Sequence, residues 1–511
     1  MHSRLTISTI SLLAVVIVFA QVDSIAVQVL PPFPEEKGIV GFGYSLLNAL
    51  HLDSRPWTVK RLCPIKTGDT LTASCIQEAE RIMRSYPFWN DAKIFPLGDS
   101  SAVNIIVQEL WTTKLNLSVK YVADRLEWGC WMEEENFAGL GAYASGGYAN
   151  YIDKSWWETS MKVYGFPTHK WDLSAYYNRN DQEWSAGGRF FRNENYINAA
   201  NLLFLSAAGE SVSVPRYYSG AVAMDTIEVE KISAAGEYLI GKGRYYLGIA
   251  VGYLKKSLRT YYSDEPFSSN TYYQSYYPAM LRLSYLSRKF FQTRNVDNFV
   301  RIEDIPLGLS LTAAVGLNSG HNKHALFTNF AGAFTTHNLY SYIGLKYKNI
   351  YDYKICTMNF RAFSPLDSNS IFRLGAGIDI IWLTSDFGDK FLVADGRTGF
   401  RGFPAYYEVT YSNDNPFTKL STELRLFPRF EIFTLRPGIA FFVDAGGADW
   451  THGWMIDFGM SLRICSTRSS RGNVNRFSIS YSPQTKTIGF IVDSGQALSF
   501  YFPLGLSSVL D

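Results

Sequence analysis

From about Lys114 to the end of the chain, large apolar side chains recur at every second position in short runs, the period of a β-strand. In "RYYLGIAVGYLKK", Tyr245, Leu247, Ile249, Val251 and Tyr253 share one face, while Tyr246, Gly248, Ala250 and Gly252 share the other. "PLGLSLTAAVGL" splits into Leu307, Leu309, Leu311, Ala313 and Val315 against Gly308, Ser310, Thr312, Ala314 and Gly316. "MIDFGMSLRIC" sets Ile456, Phe458, Met460, Leu462 and Ile464 against Asp457, Gly459, Ser461 and Arg463. One large apolar face and one small or polar face suit strands with lipid outside and a wet or plugged lumen inside. A soluble β-sandwich alternates as well, but "DKSWWETS", "TYYQSYY" and "AYYEVTY" gather rings near strand ends, where membrane-interface girdles sit. The pattern predicts a transmembrane antiparallel β-barrel over residues 114–511. About 25 residues would be available to each of about sixteen strands, ample for the ~9–11 that cross a membrane. The candidate segments number sixteen to eighteen, because the stretch from Ala199 to Lys231 is ambiguous.

Ahead of the barrel the period changes. Thr72 is a candidate N-cap, and Ile76, Ala79, Met83 and Tyr86 then line one face of a helix that Pro87 closes. "WTVKRLCPIKTGD" reads as a strand running into a turn, and "DAKIFPLGDSSAVNIIVQEL" as two strands joined around Gly98 and Asp99. Residues 27–113 thus form a small α+β domain in the order strand, helix, strand, strand. The first twenty residues, with Arg4 ahead of an apolar run from Leu5 to Phe19, read as a cleaved export signal ending at Ala20 or, alternatively, at Ala26.

Composition narrows the partners. A chain that is 16% aromatic and 18% charged is not disordered, and a net charge of +2 gives no global field for nucleic acid. The five cysteines at 63, 75, 130, 356 and 465 form no metal motif, and a Cys63–Cys75 disulfide is left open as a possibility. No nucleophile elbow, phosphate-binding loop or zinc-protease motif is present, so neither a catalytic residue, a cofactor nor a metal is expected. His321 and His324 read as loop residues, and Glu133, Glu134 and Glu135 as a solvated strand end.

The informative charges lie on inward faces. In "KLSTELRLF", Leu420, Thr422, Leu424 and Leu426 take the lipid side and leave Glu423 and Arg425 inside; in "GIAFFVDAGG", Ile439, Phe441 and Val443 point outward and Phe442 and Asp444 inward. Arg401 precedes both in "GRTGFRGFP", and a guanidinium is suited to bidentate contact with carboxylates. Arg397 reads as a solvated loop residue.

"DGRTGFRGFP" followed by "TELRLF" and "FFVDAGG" resembles the C-terminal barrel of the BamA-like outer-membrane assembly and translocation family. "EENFAGLG" is similar to the family's Asn-aromatic-Leu-Gly turn, with Ala138 in place of leucine. "IKTGDTL", "RIMRSYPFWNDAKI" and "NIIVQEL" resemble one POTRA domain, the family's periplasmic module. The resemblance implies an Arg-Gly-aromatic loop, around residues 394–410, folded into the lumen. In it Phe400, Arg401, Gly402 and Phe403 form the motif, Arg401 contacts Asp444 and Glu423, and Phe403 lodges against the inner wall. It further implies a non-enzymatic insertase or translocase in the outer membrane of a diderm bacterium, with the POTRA-like domain in the periplasm. Its partners would be outer-membrane lipid, unfolded or nascent barrel or secreted clients, and periplasmic chaperones or other assembly factors. A lateral seam is expected between "LNLSVKY" and "QALSFYF". Many relatives end on an aromatic residue, whereas this chain runs past Phe502 to Asp511. A passive porin and a surface-exposed binding barrel are the alternative functions.

Overall fold

The computed structural model describes residues 21–97, 102–122, 125–151, 154–181, 183–192, 201–215, 226–261, 269–299, 301–319, 323–350, 353–385, 390–394, 400–401, 407–411, 416–447, 454–469, 474–494, 498–506 and 508–510. The expected export signal lies outside them. The N-terminal domain runs β1 (Ser24–Leu30), α1 (Gly38–Leu50), α2 (Pro56–Leu62), α3 (Ala73–Ser85), β2 (Trp89–Pro96) and β3 (Ala102–Glu109). Its sheet has β3 in the centre, parallel to β1 and antiparallel to β2. Thr72 caps α3, its side chain accepting from the Cys75 N–H, and Ala79, Met83 and Tyr86 are buried against the sheet.

The expected strand at "WTVKRLCP" is the helix α2. Pro56 at its first position pre-sets the helical φ, Val59 and Leu62 face the core one turn apart, and Lys60 and Arg61 sit at the negative end of its dipole. The first strand is instead β1, which begins two residues before Ala26. The disulfide left open between Cys63 and Cys75 is not formed: both are free thiols. Cys63 is packed among the apolar core of the domain, and that burial pushes its thiol up to about 11.

Beyond residue 112 the chain forms a closed antiparallel barrel, from β4 (Thr113–Val122) and β5 (Arg125–Glu134) to the last strand, Thr487–Ser494. Two of its segments, Ser269–Tyr276 and Pro278–Thr293, both pair with Tyr245–Tyr261 and form one strand interrupted at Tyr277. The barrel therefore has twenty strands where about sixteen were expected. The count rises because strands such as the four within Ala142–Arg192, nine to eleven residues long, use fewer than the about 25 residues allotted to each. Runs such as "YASGGYANY" there carry small and aromatic residues instead of an aliphatic face. The ambiguous stretch supplies Asn201–Pro215 and Thr226–Lys242.

The two faces sort as the alternation implies. Tyr245, Leu247, Ile249 and Val251 are exposed on the outside, as are Ile456, Phe458, Met460 and Leu462. Tyr246, Ala250, Asp457, Ser461 and Arg463 are buried inside. A continuous apolar outer belt is costly in water, about 25 cal/mol per Å², and is what a barrel in hydrocarbon presents. Among the described residues no helix is long and apolar enough to cross a membrane.

The described residues after Ser494 do not continue the wall. Residues 498–506 and 508–510 run along the inside of the barrel, with Leu498, Phe500, Leu504, Leu506, Val509 and Leu510 buried against inward faces of several strands. Because all five cysteines are free thiols, unfolding the protein without reductant and titrating its thiols should find all five reactive; three would restore the disulfide.

Candidate functional site

The barrel end that carries the N-terminal domain is called proximal here, and the opposite end distal. The connection between strands Phe372–Ser385 and Phe417–Leu426 starts at the distal end, and it brings Phe400 and Arg401 into the barrel interior, both buried. Gly402 and Phe403 lie outside the described residues, as does Arg397.

Arg401 is the centre of a charge network. Its Nε and Nη2 donate to Asp444 Oδ2 and Oδ1 at 2.8 and 3.0 Å, a bidentate pair, and Nη1 donates to Glu423 Oε2 at 2.8 Å. The guanidinium lies 3.4 Å from the centroid of the Phe442 ring. Strand period two brings these groups together: Glu423 sits two residues from Arg425 on one inward face, and Phe442 and Asp444 sit two apart on the next strand. The Arg401 carbonyl accepts from Ser480 Oγ at 2.7 Å, and Phe400 packs edge-on to Phe417 and over Gly446, where a Cβ would meet the ring at 2.8 Å. Ser480 and Gly446 carried no signal in the sequence; both sit on inward faces where only a small residue leaves room for the loop.

The network continues toward the proximal end. Glu423 Oε1 accepts from Arg425 Nε at 2.7 Å, and Arg425 Nη1 donates to Asp297 Oδ1 at 2.8 Å and to the Val296 carbonyl at 2.5 Å. Arg425 Nη2 donates to the Leu498 carbonyl, and its guanidinium lies 3.6 Å from the Phe500 ring centroid. Asp297 also accepts from Ser499 Oγ at 2.7 Å and from the Phe500 N–H at 3.3 Å. A line of alternating charge, Asp444, Arg401, Glu423, Arg425 and Asp297, thus joins the distal loop to the proximal connection at 294–302 and to the segment after the last strand. Sequence reading had Arg425 inside but missed Asp297, which lies outside any strand and has no periodic signature.

The barrel closes between its first and last strands. Among the described residues, Val119–Val122 of β4 pair with Gly489–Val492 over four residue pairs, whereas β4 and β5 pair over ten. The proximal stretch Thr113–Ser118 has no partner there on that side. The seam lies at "LNLSVKY", as expected, but its other side is "TIGFIVDS"; of "QALSFYF", the described residues Leu498–Phe502 belong to the segment inside the barrel.

The turn after β5 couples barrel and N-terminal domain. Asn136 is buried; its Nδ2 donates to Ser54 Oγ at 2.9 Å, and its Oδ1 accepts from the Gly141 N–H at 2.7 Å. The Gly139 carbonyl accepts from the Arg55 N–H and Thr58 Oγ1 at 3.1 and 2.8 Å, and the Leu140 carbonyl from Arg61 at 2.6 Å. Gly139 has φ +70°, and a Cβ on it would meet the Asp53 carbonyl at 2.2 Å, so glycine is required twice over. The acid run is not simply solvated: Glu135 is buried and pairs with Lys114 at 2.7 Å, while Glu134 accepts from Thr113 Oγ1 at 2.6 Å. His324 opens the strand Lys323–Thr336 instead of lying in a loop, and His321 is outside the described residues. His51, Asp53 and Glu109 approach one another, but Glu109 is held by His51 Nε2 at 2.5 Å and the Ser54 N–H at 2.9 Å, a structural junction at the base of β3.

Removing one member of a buried ion pair leaves the other unpaired and costs roughly 3–5 kcal/mol. Arg401→Ala and Asp444→Ala should each lower the stability of the folded barrel by that order, read by heat-modifiable gel mobility. The double variant should lose clearly less than the sum; strict additivity would refute the coupling.

No family model matches the chain, and no curated protein matches it. Among solved structures it is similar to CdiB from Acinetobacter baumannii (10% identity, 94% of this chain and 74% of that one, TM-score 0.45). It is also similar to BamA from Haemophilus ducreyi lacking POTRA domains 1–3 (14%, 93% and 84%, 0.38) and to the copper transporter OprC (12%, 92% and 90%, 0.36). At these scores the likenesses choose no family, and the functional reading rests on the geometry above.

Proposed function

We propose that this protein is a non-enzymatic outer-membrane insertase or translocase of the BamA-like kind, acting on polypeptide clients at its lateral seam. The observation that carries the reading is the half-paired closure of the barrel. Unpaired strand edges in hydrocarbon cost several kcal/mol per unsatisfied group, so a sheet closed by four pairs with a neighbouring bare edge is poised to accept another strand. The N-terminal domain would lie in the periplasm and present clients to that edge.

Its own sheet favours one side for capture. Along β2 the Ala92 N–H is taken by Asp91 Oδ1 at 2.9 Å and the Ile94 N–H by Glu80 Oε1 at 3.0 Å, and Pro96 has none. That edge is blocked, and β1, which pairs only with β3 among the described strands, is the edge open to an extended client. A lumen crossed by the Arg401 loop and by residues 498–510 argues against a passive porin. Lipid is the other partner: besides the barrel's belt, Ile39, Phe42, Leu46 and Leu50 expose a stripe along α1, whose Tyr44 Oη donates to the Phe433 carbonyl at the barrel's proximal end.

Two outcomes are expected. In a background without native cysteines, Lys120→Cys with Ile491→Cys, directly paired across the seam, should block insertion of a client barrel into proteoliposomes when oxidised and restore it when reduced. Full insertion by the oxidised form would rule out a gating seam. A photo-crosslinking residue at Gln28 on β1 should capture an extended client, and one at Lys93 on β2 should not; the reverse would assign capture to the wrong edge.

A further inference from the structure

Residues 498–510 are held inside the barrel by partners spaced like a binding site and not merely by contact with a wall. At one end Arg425 and Asp297 hold the backbone of Leu498 and Phe500. Further along, Arg288 donates to the Leu504 carbonyl at 2.9 Å, and Ser310 Oγ donates to the Gly505 carbonyl at 2.9 Å. At the far end the buried carboxylate of Glu237 accepts from Ser508 Oγ, from the Val509 N–H at 2.6 Å and from the Leu510 N–H at 3.2 Å, while Arg282 pairs with it at 2.7 Å.

Most of these bonds reach main-chain atoms, so they read the backbone and not a particular sequence. Apolar recesses alternate with them. Phe500 lies over Gly375, where a Cβ would meet its ring at 2.1 Å; Leu506 sits with Leu202, Leu239 and Tyr246; Val509 and Leu510 sit with Met280 and Phe327. Burying the leucines and the phenylalanine contributes roughly 1.5–3 kcal/mol each. Polar groups for the backbone and slots for alternate side chains are the two elements by which a surface recognises an extended peptide.

We propose that this inner wall is a binding track for a predominantly apolar polypeptide segment, and that residues 498–506 and 508–510 occupy it as an intramolecular ligand that closes the lumen. Resting on the translocase reading, the track is then a subsite for client segments inside the barrel, which must displace the chain's own segment to use it.

The test needs no client, so its failure is separate from failure of the insertase reading. A variant truncated after Ser494 should conduct ions in planar bilayers several-fold more than the full chain. A synthetic peptide of residues 495–511 should bind it one per barrel and return conductance to the full-length level. Gly375→Val in the truncated protein should weaken that binding at least about tenfold, because its side chain fills the Phe500 recess. Unchanged conductance together with no peptide binding would overturn the proposal. Should the truncated chain fail to fold, the full chain decides: with Leu506→Cys as its single cysteine, Gly375→Val should speed maleimide labelling of that buried position at least about tenfold. Equal labelling with and without the valine would overturn it as well.

Discussion

Pairing of charge in a low-dielectric interior is the constraint on which the barrel's inner organisation depends. A lone guanidinium among inward faces would cost several kcal/mol, and here no member of the central line stands alone. Arg401 lies between Asp444 and Glu423, and Arg425 lies between Glu423 and Asp297. Each arginine also faces a ring, Phe442 from the wall and Phe500 from the segment inside. The five charged groups belong to the distal loop, two adjacent strands and the proximal connection. Breaking one pair therefore strands a neighbour, and loop, wall and inner segment are linked through the same atoms.

That linkage bears on the seam. The last strand pairs fully with its preceding neighbour over eight residues but with β4 over four. The described residues beyond it, from Leu498 on, lie inside the barrel against Arg425 and Asp297, and among the described residues nothing pairs with Thr113–Ser118 on that side. The base of β4 is meanwhile fixed by Lys114 on Glu135 and by the Asn136 turn against Ser54, so the bare edge is presented by a held strand and not by a frayed one.

Much of this was legible because it is periodic. Period two assigned Glu423, Arg425, Phe442 and Asp444 to the inside, and Arg401 in the Gly-rich stretch before them then had carboxylates to meet. What escaped had no period or a misleading one. Asp297 lies in a connection, and Ser480 and Gly446 matter for their size. The run "WTVKRLCP" alternates like a strand, but Pro56 and the one-turn spacing of Val59 and Leu62 make it α2. "QALSFYF" alternates like a last strand as well, and the place of its described residues, Leu498–Phe502, is set by partners nearly two hundred residues or more away, Asp297 and Glu303 for Ser499 and Tyr501. No local pattern could report that.

The two open edges are also geometrically tied. Only residues 110–112 separate the end of β3 from the start of β4, and Leu110 and Thr112 are buried, so the connection is packed rather than hinged. Arg84 on α3 meets Asp304 of the barrel at 3.2 Å, and Tyr86 and Phe88 pack edge-on to Tyr164, adding fixed points around the same junction. With β2 blocked along its free side, a client captured by this sheet would lie on β1, at a fixed orientation to the bare half of β4. On the proposed reading, handing an extended segment from one sheet edge to another would require that the two edges keep their relation while the segment moves, and a packed junction is suited to that.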